Sequence, residues 1–160
     1  MTASRPALSQ IEEFLQRKRF AAIGVSRHPK DFSRSLFAEF RRRGYDVIPV
    51  NPAVAEIDGV PCVARVQDIS PPVEAALLLT PAAVSGEVAD QCIQAGVRQV
   101  WMYRAAGSGA VNMHAVVACE LNGINVIAGE CPFMFLPHTA LFHRIHGFCR
   151  KLTGHYPQAK

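Results

Sequence analysis

The 160-residue sequence is short of the features that mark most specialised protein classes. Charged residues are 19% against 49% hydrophobic, the reverse of what a disordered chain needs, so wholesale disorder is excluded. Apolar runs are brief: the stretch 73–79 already carries Glu74, and none approaches the roughly 20 residues of a transmembrane helix. The opening MTASRPALSQIEEF lacks a basic-then-apolar secretory leader, and neither an internal repeat nor a low-complexity tract occurs. The five cysteines (Cys62, Cys92, Cys119, Cys131, Cys149) are an odd number without paired spacing. Reduced thiols in a cytoplasm are therefore expected, not a disulfide framework. Seventeen basic against 13 acidic residues leave a formal charge of +4, an excess that suits an anionic small ligand or an acidic partner. It does not indicate nucleic acid: the run Arg41–Arg43 has no interleaved aromatics and reads as a solvated helix face. Neither a nucleic-acid nor a membrane partner is expected.

What the chain does contain is an alternation of periods. A chain of this length folds as one domain and buries roughly 70% of its unfolded surface. Ser9 followed by Glu12 reads as a capping box opening a helix over about 8–18. The run 20–26 is apolar on both faces, which marks a buried and parallel strand. Beyond a polar turn at 27–31, Ser33, Leu36, Phe37 and Phe40 share one helical face. A second strand over 45–52 stops at Asn51-Pro52, and the irregular stretch 55–72 leaves room for one short strand. Further strands are read at 75–80, 97–104 and 124–129, with helices starting at Thr80-Pro81 and spanning 110–123. A terminal helix is read over about 137–152. The expected fold is thus a single α/β domain, doubly wound, whose parallel sheet carries helices on both faces, with 19–129 as its core.

In such sheets ligands bind beyond the carboxyl ends of the strands, where the strand order reverses. The first strand delivers Gly24, Val25, Ser26, Arg27 and Lys30 to a turn before a helix. There backbone amides, a hydroxyl and two cations can surround a phosphate. Only one glycine of G-x-G-x-x-G is present, so a plain strand-to-helix turn is the competing reading. The second strand ends in Asn51-Pro52 where an NAD-binding fold places Asp or Glu for the ribose hydroxyls. This favours a nucleotide with an extra phosphate over NAD, against the alternative that Pro52 only stops the strand. Thr80 and Pro81 end the third strand, either at the ligand or as a helix cap. Arg104, ahead of Gly107-Ser108-Gly109, offers room for another anion or an extended chain.

The string IGVSRHPKDFSRSLFAEFRRRGYDVIPVNP (23–52), with its G-x-S-x-x-P and PVNP motifs, resembles the coenzyme A-binding domain family. That family includes the nucleotide-binding domain of the succinyl-CoA synthetase α subunit. The strings at 77–103, 124–135 (with GECP) and 142–157 resemble its small stand-alone members. The resemblance implies a Rossmann-like domain that binds coenzyme A (CoA) or an acyl-CoA, with phosphate near Gly24, Val25, Ser26, Arg27 and Lys30. It also implies nucleotide beside Asn51 and Pro52, and Thr80 and Pro81 completing the edge. Relatives carry a glutamine and a Gly-Ala-Glu-Ser-like loop after the VWM strand, where this chain has Tyr103 and Arg104.

The expected role is a non-catalytic binding module, because no complete catalytic constellation is present. An acyl-CoA or thiol-redox enzyme using Cys131 is the alternative, although the neighbouring Glu130 disfavours a thiolate unless a histidine or helix terminus compensates. An NAD(P)-binding sensor or oxidoreductase ranks lower for want of the glycine fingerprint. His138, His143, His146 and Cys149 suggest a metal, yet the two histidines three residues apart on a helix flank lack a third ligand at fixed spacing, and none is expected. The apolar face of that terminal helix suits packing on the body or a homodimer.

Overall fold

The computed structural model describes residues 6–104, 107 and 109–137. The terminal helix expected over 137–152, its histidines and Cys149 lie outside the described residues, as does the homodimer contact placed on that helix, Pro137 apart. Among the described residues seven strands and four α-helices follow in the order α1 (Leu8–Gln16), β1 (Arg19–Ile23), α2 (Phe32–Arg42), β2 (Asp46–Val50), β3 (Glu56–Ile57), β4 (Val60–Pro61), β5 (Ala75–Leu78), α3 (Ser85–Gln94), β6 (Gln99–Met102), α4 (Met113–Leu121) and β7 (Asn125–Ala128). Five of the strands form one parallel sheet in the order β2-β1-β5-β6-β7.

The sheet is parallel because its strands are apolar on both faces, and each face has its own core. On one side Phe20, Ala22, Leu77, Trp101 and Ile127 pack with Ile11 and Phe14 of α1 and Leu36, Phe37 and Phe40 of α2. Facing the other way, Ala21, Ile23, Leu78, Met102 and Val126 pack with Val88, Ala89 and Cys92 of α3 and Val116 and Cys119 of α4. Neighbouring residues of one strand thus serve opposite cores, as the period of two requires. Among the described residues no helix is long and apolar enough to cross a membrane.

The elements differ from the sequence reading mainly at their starts. Ala7, not Ser9, precedes the first helical residue, and its amide donates to Gln10 Oε1 at 2.7 Å, so Gln10 takes the reciprocal role expected of Glu12. The stretch 55–72 holds a two-strand hairpin, β3 and β4, turned by Asp58 and Gly59, where one strand was expected. Helix α3 starts at Ser85, four residues beyond Pro81. Arg41 and Arg42 are exposed as expected, but Arg43 folds back onto Glu39 (2.7 Å) and donates to Pro137 O at 2.5 Å.

Glu39 lies between two of these arginines. The hydrogen bonds and charges of Arg42 and Arg43 outweigh its desolvation and pull its pKa from 4.5 down to about 2. Because the folded value is depressed, the contribution to stability is present above pH 4.5 and disappears as pH falls from about 4.5 to 2. Glu39→Gln is expected to be less stable than the parent in urea denaturation at neutral pH, with the gap closing across that window. A gap independent of pH would remove the ion pairs as its cause.

Candidate functional site

The chain leaves β1 for β2 on one side and then returns across β1 to β5. Strand order therefore reverses between β1 and β5, and the crevice lies beyond their carboxyl ends, between Gly24 and Leu79. Two bonds close the strand ends together: Gly24 N donates to Val50 O (3.1 Å) and Leu79 N to Ile23 O (2.8 Å). Gly24 is required by both space and conformation. Its φ is +88°, and a Cβ here would stand 2.7 Å from Thr80 Cγ2 and 3.0 Å from Thr80 N. The first and third strand ends thus meet at backbone contact, bringing the predicted residues Gly24 and Thr80 side by side.

The turn after β1 is held from within. Ser26 N donates to Ser33 Oγ (2.9 Å) and His28 N to Ser26 Oγ (3.1 Å), while Arg34 Nη1 reaches the carbonyls of Ser26 (3.3 Å) and Arg27 (3.2 Å). Asp31 caps α2 by accepting from Ser33 N (2.8 Å) and Ser33 Oγ (2.5 Å), and the Ser33 bonds hold its carboxyl below the usual range. Arg27, His28 and Lys30 are exposed around it. The helix terminus therefore carries its own carboxylate, and attraction for an anion falls to these exposed side chains. Asp31 and Arg34 were not singled out in the sequence and Ser33 only as part of a helical face, although an Asp just before an apolar-periodic helix is a start signal.

Asn51 and Val25 take structural roles. Asn51 Nδ2 donates to Val25 O (3.0 Å) and its Oδ1 accepts from Ala53 N (2.9 Å), so the side chain ties the ends of β1 and β2. The Val25 side chain is fully buried and offers the crevice only its backbone. Pro52 and Ala53 form the exposed edge. No acidic side chain stands at Asn51, and the nearby Asp58 carboxylate is paired with Arg34.

Across the crevice, Thr80 Oγ1 lies 3.3 Å from Ser85 Oγ, which donates to Pro81 O at 3.3 Å. With α3 starting only at Ser85, Thr80 is a hydroxyl partner of Ser85 and not the helix cap the sequence offered as one reading. Asn112 caps α4, accepting from His114 N (2.9 Å) and Ala115 N (3.2 Å), and its Nδ2 holds Ala82 O at 2.9 Å. This tether fixes the segment after β5 against the next helix.

Farther along, the ring of Tyr103 stacks on Phe32 (centroids 4.9 Å, planes 18° apart), and Phe133 meets Phe32 edge-on at 5.5 Å. Together they form an aromatic cluster on the α2 side of the sheet. Burial, with smaller effects from Cys131 and Asp31, pushes the Tyr103 phenol up to about 12, so it remains a neutral hydrogen-bonding group at physiological pH. Cys131 follows β7 but is only 5% exposed, which is unlike an accessible nucleophile. Burial also pushes Cys92 to about 12 and Cys119 to about 11, leaving them as inert core thiols.

The opposite rim of the sheet has an open hollow of about 250 Å³ lined by Arg17, Lys18, Arg19, Pro72, Val73 and Glu74. Its charges are already matched: Arg17 pairs with Glu13 and Glu74, Arg19 with Asp46, and the Lys18 ammonium sits 4.1 Å over the Tyr45 ring. The hollow lacks the uncompensated cations of the carboxyl rim.

A family model described as a CoA binding domain matches residues 18–137. The uncharacterized protein YneT of Bacillus subtilis (strain 168) is 30% identical over 127 residues, spanning 79% of this chain and 91% of that protein. A hypothetical protein from Pyrococcus horikoshii OT3 superposes with a TM-score of 0.73 at 28% identity, over 82% of this chain and 94% of its own. The fold also matches part of acetyl-coenzyme A synthetase 1 from Ca. Korarchaeum cryptofilum, solved with phosphate and ADP, at a TM-score of 0.60 and 23% identity, over 68% of this chain and 25% of that one. The β1 turn, the Asn51-Pro52 edge and the Cys131 segment all fall within the span matched by the family model, and the chain belongs to the CoA binding domain family.

Proposed function

We propose that this protein binds coenzyme A or an acyl-CoA in the crevice between the carboxyl ends of β1 and β5, as a cytoplasmic binding module without a catalytic centre of its own. The observation that carries this reading is the close approach of Gly24 to Thr80 at the switch point, with the exposed Arg27 and Lys30 in the turn that follows. The phosphates would lie by the 24–30 turn, near Ser26, Arg27 and Lys30, and the adenosine toward Pro52 and Ala53. The pantetheine arm would run past Thr80 and Pro81 along the aromatic cluster of Phe32, Tyr103 and Phe133. An amide-rich flexible chain suits such a surface, which offers rings to pack on and a neutral hydroxyl.

The absence of an acidic residue at Asn51 supports CoA over NAD, since a carboxylate there would repel a phosphorylated ribose. Amide chemical shifts followed during titration with CoA test the placement. Residues 24–31, 51–53 and 79–82 should move first, and 17–19 and 72–74 should not; first movement at the latter group would put the ligand on the wrong rim.

Because Arg27 and Lys30 are solvent-exposed, their attraction to phosphate should be screened by salt. Arg27→Gln with Lys30→Gln is expected to weaken CoA binding roughly tenfold at low ionic strength and by less at 0.5 M salt. Equal loss at both salt concentrations would take the phosphates away from these cations.

A further inference from the structure

Arg104 is a cation that the CoA reading leaves without a task. It follows β6, two strands from the phosphate turn and on the side away from Pro52, a displacement of about 10 Å across the sheet. Its guanidinium lies flat over Gly129, at the end of β7. A Cβ at Gly129 would stand 2.9 Å from Arg104 Nη2 and 3.2 Å from both Cζ and Nε, so only glycine admits this placement. Arg104 is exposed, and among the described residues no carboxylate pairs with it. Arg17, Arg19, Arg34, Arg42, Arg43 and Arg65 each have an Asp or Glu partner.

A cofactor with phosphates at the β1 turn and adenosine toward β2 directs its pantetheine arm the other way, toward β6 and β7. On that placement its thiol end would arrive beside Tyr103 and Arg104. Free CoA and acetyl-CoA bring no negative charge to that end, because a thiol or a simple thioester is neutral. A guanidinium seated there is matched only by an acyl chain that itself ends in an anion.

We propose that Arg104 makes the protein selective for thioesters of dicarboxylic acids, with the distal carboxylate of the acyl chain accepting hydrogen bonds from the guanidinium. The inference rests on CoA occupying the β1–β5 crevice. It concerns binding alone and requires no bond to form or break. The same cation could instead meet one of the coenzyme's own phosphates if the molecule lay reversed, and the experiment separates these two sources of negative charge.

Calorimetric titrations of the parent, Arg104→Gln and Arg104→Lys with acetyl-CoA, malonyl-CoA and glutaryl-CoA provide the test. The parent should bind malonyl-CoA or glutaryl-CoA about tenfold more tightly than acetyl-CoA, the difference expected of one charge-assisted hydrogen bond. Arg104→Gln should bring that ratio near one, and Arg104→Lys should keep part of it. A parent ratio near one for both thioesters overturns the proposal, as does a ratio that Arg104→Gln leaves intact. Equal weakening of all three ligands by Arg104→Gln overturns it too, by placing a coenzyme phosphate on Arg104. If none of the three ligands binds the parent, the CoA reading itself fails, a result distinct from binding without discrimination.

Discussion

Gly24→Ala is expected to lose roughly 2–3 kcal/mol of stability and to bind CoA at least tenfold more weakly. Two costs add. A φ of +88° is strained for any L-residue with a Cβ, by roughly 1–2 kcal/mol. The new methyl would also stand 2.7 Å from Thr80 Cγ2 and 3.0 Å from Thr80 N, so the ends of β1 and β5 must separate by several tenths of an ångström. The side-chain part of this clash can be removed separately. Gly24→Ala combined with Thr80→Ser deletes Cγ2 but keeps the backbone contact and the strained φ, so it should recover only part of the stability. Urea denaturation and calorimetry on both variants check the two costs. A Gly24→Ala protein with parental stability and affinity would mean that the strand ends do not touch as described.

The second large effect lies in the core between the sheet and α1 and α2. Trp101 is fully buried, meets Phe14 edge-on (5.2 Å) and Phe135 (6.0 Å), and donates from Nε1 to Glu130 O at 2.9 Å. Trp101→Ala should cost about 3–5 kcal/mol, as the cavity it leaves collapses only in part. Trp101→Phe keeps much of the packing and deletes the indole donor, for a loss of about 1 kcal/mol or more. The Glu130 carbonyl is one residue before Cys131 and three before Phe133, so the phenylalanine variant should raise hydrogen exchange at 129–136 while leaving 24–31 protected. Uniform loss of protection would show that the indole bond stabilises the whole sheet and not this segment.

The strands were legible because a parallel sheet covered on both faces has no polar alternation to obscure them: residues 20–23 and 75–78 are apolar without a break. The order of those strands was not legible, since neither composition nor period says which neighbours pair. Residue 81 misled for a local reason. Proline is compatible with the first helical position, but here it sits in a turn that Asn112, thirty residues away, fixes through Ala82 O. The candidate site divides in the same way. Gly24, Thr80 and Asn51 could be placed at strand ends from the alternation, whereas the bonds that occupy both polar groups of Asn51 depend on β1 and β2 being adjacent. The stack of Tyr103 on Phe32 joins residues 71 positions apart in the chain, and no spacing in the sequence announces it.

The function proposed here stands or falls on which nucleotide the crevice accepts. Parallel calorimetric titration of the full chain with CoA, NAD and NADP at one ionic strength addresses this directly. Saturable one-to-one binding of CoA is expected, at least tenfold tighter than that of either dinucleotide. Tight binding of NAD with no heat from CoA would contradict it.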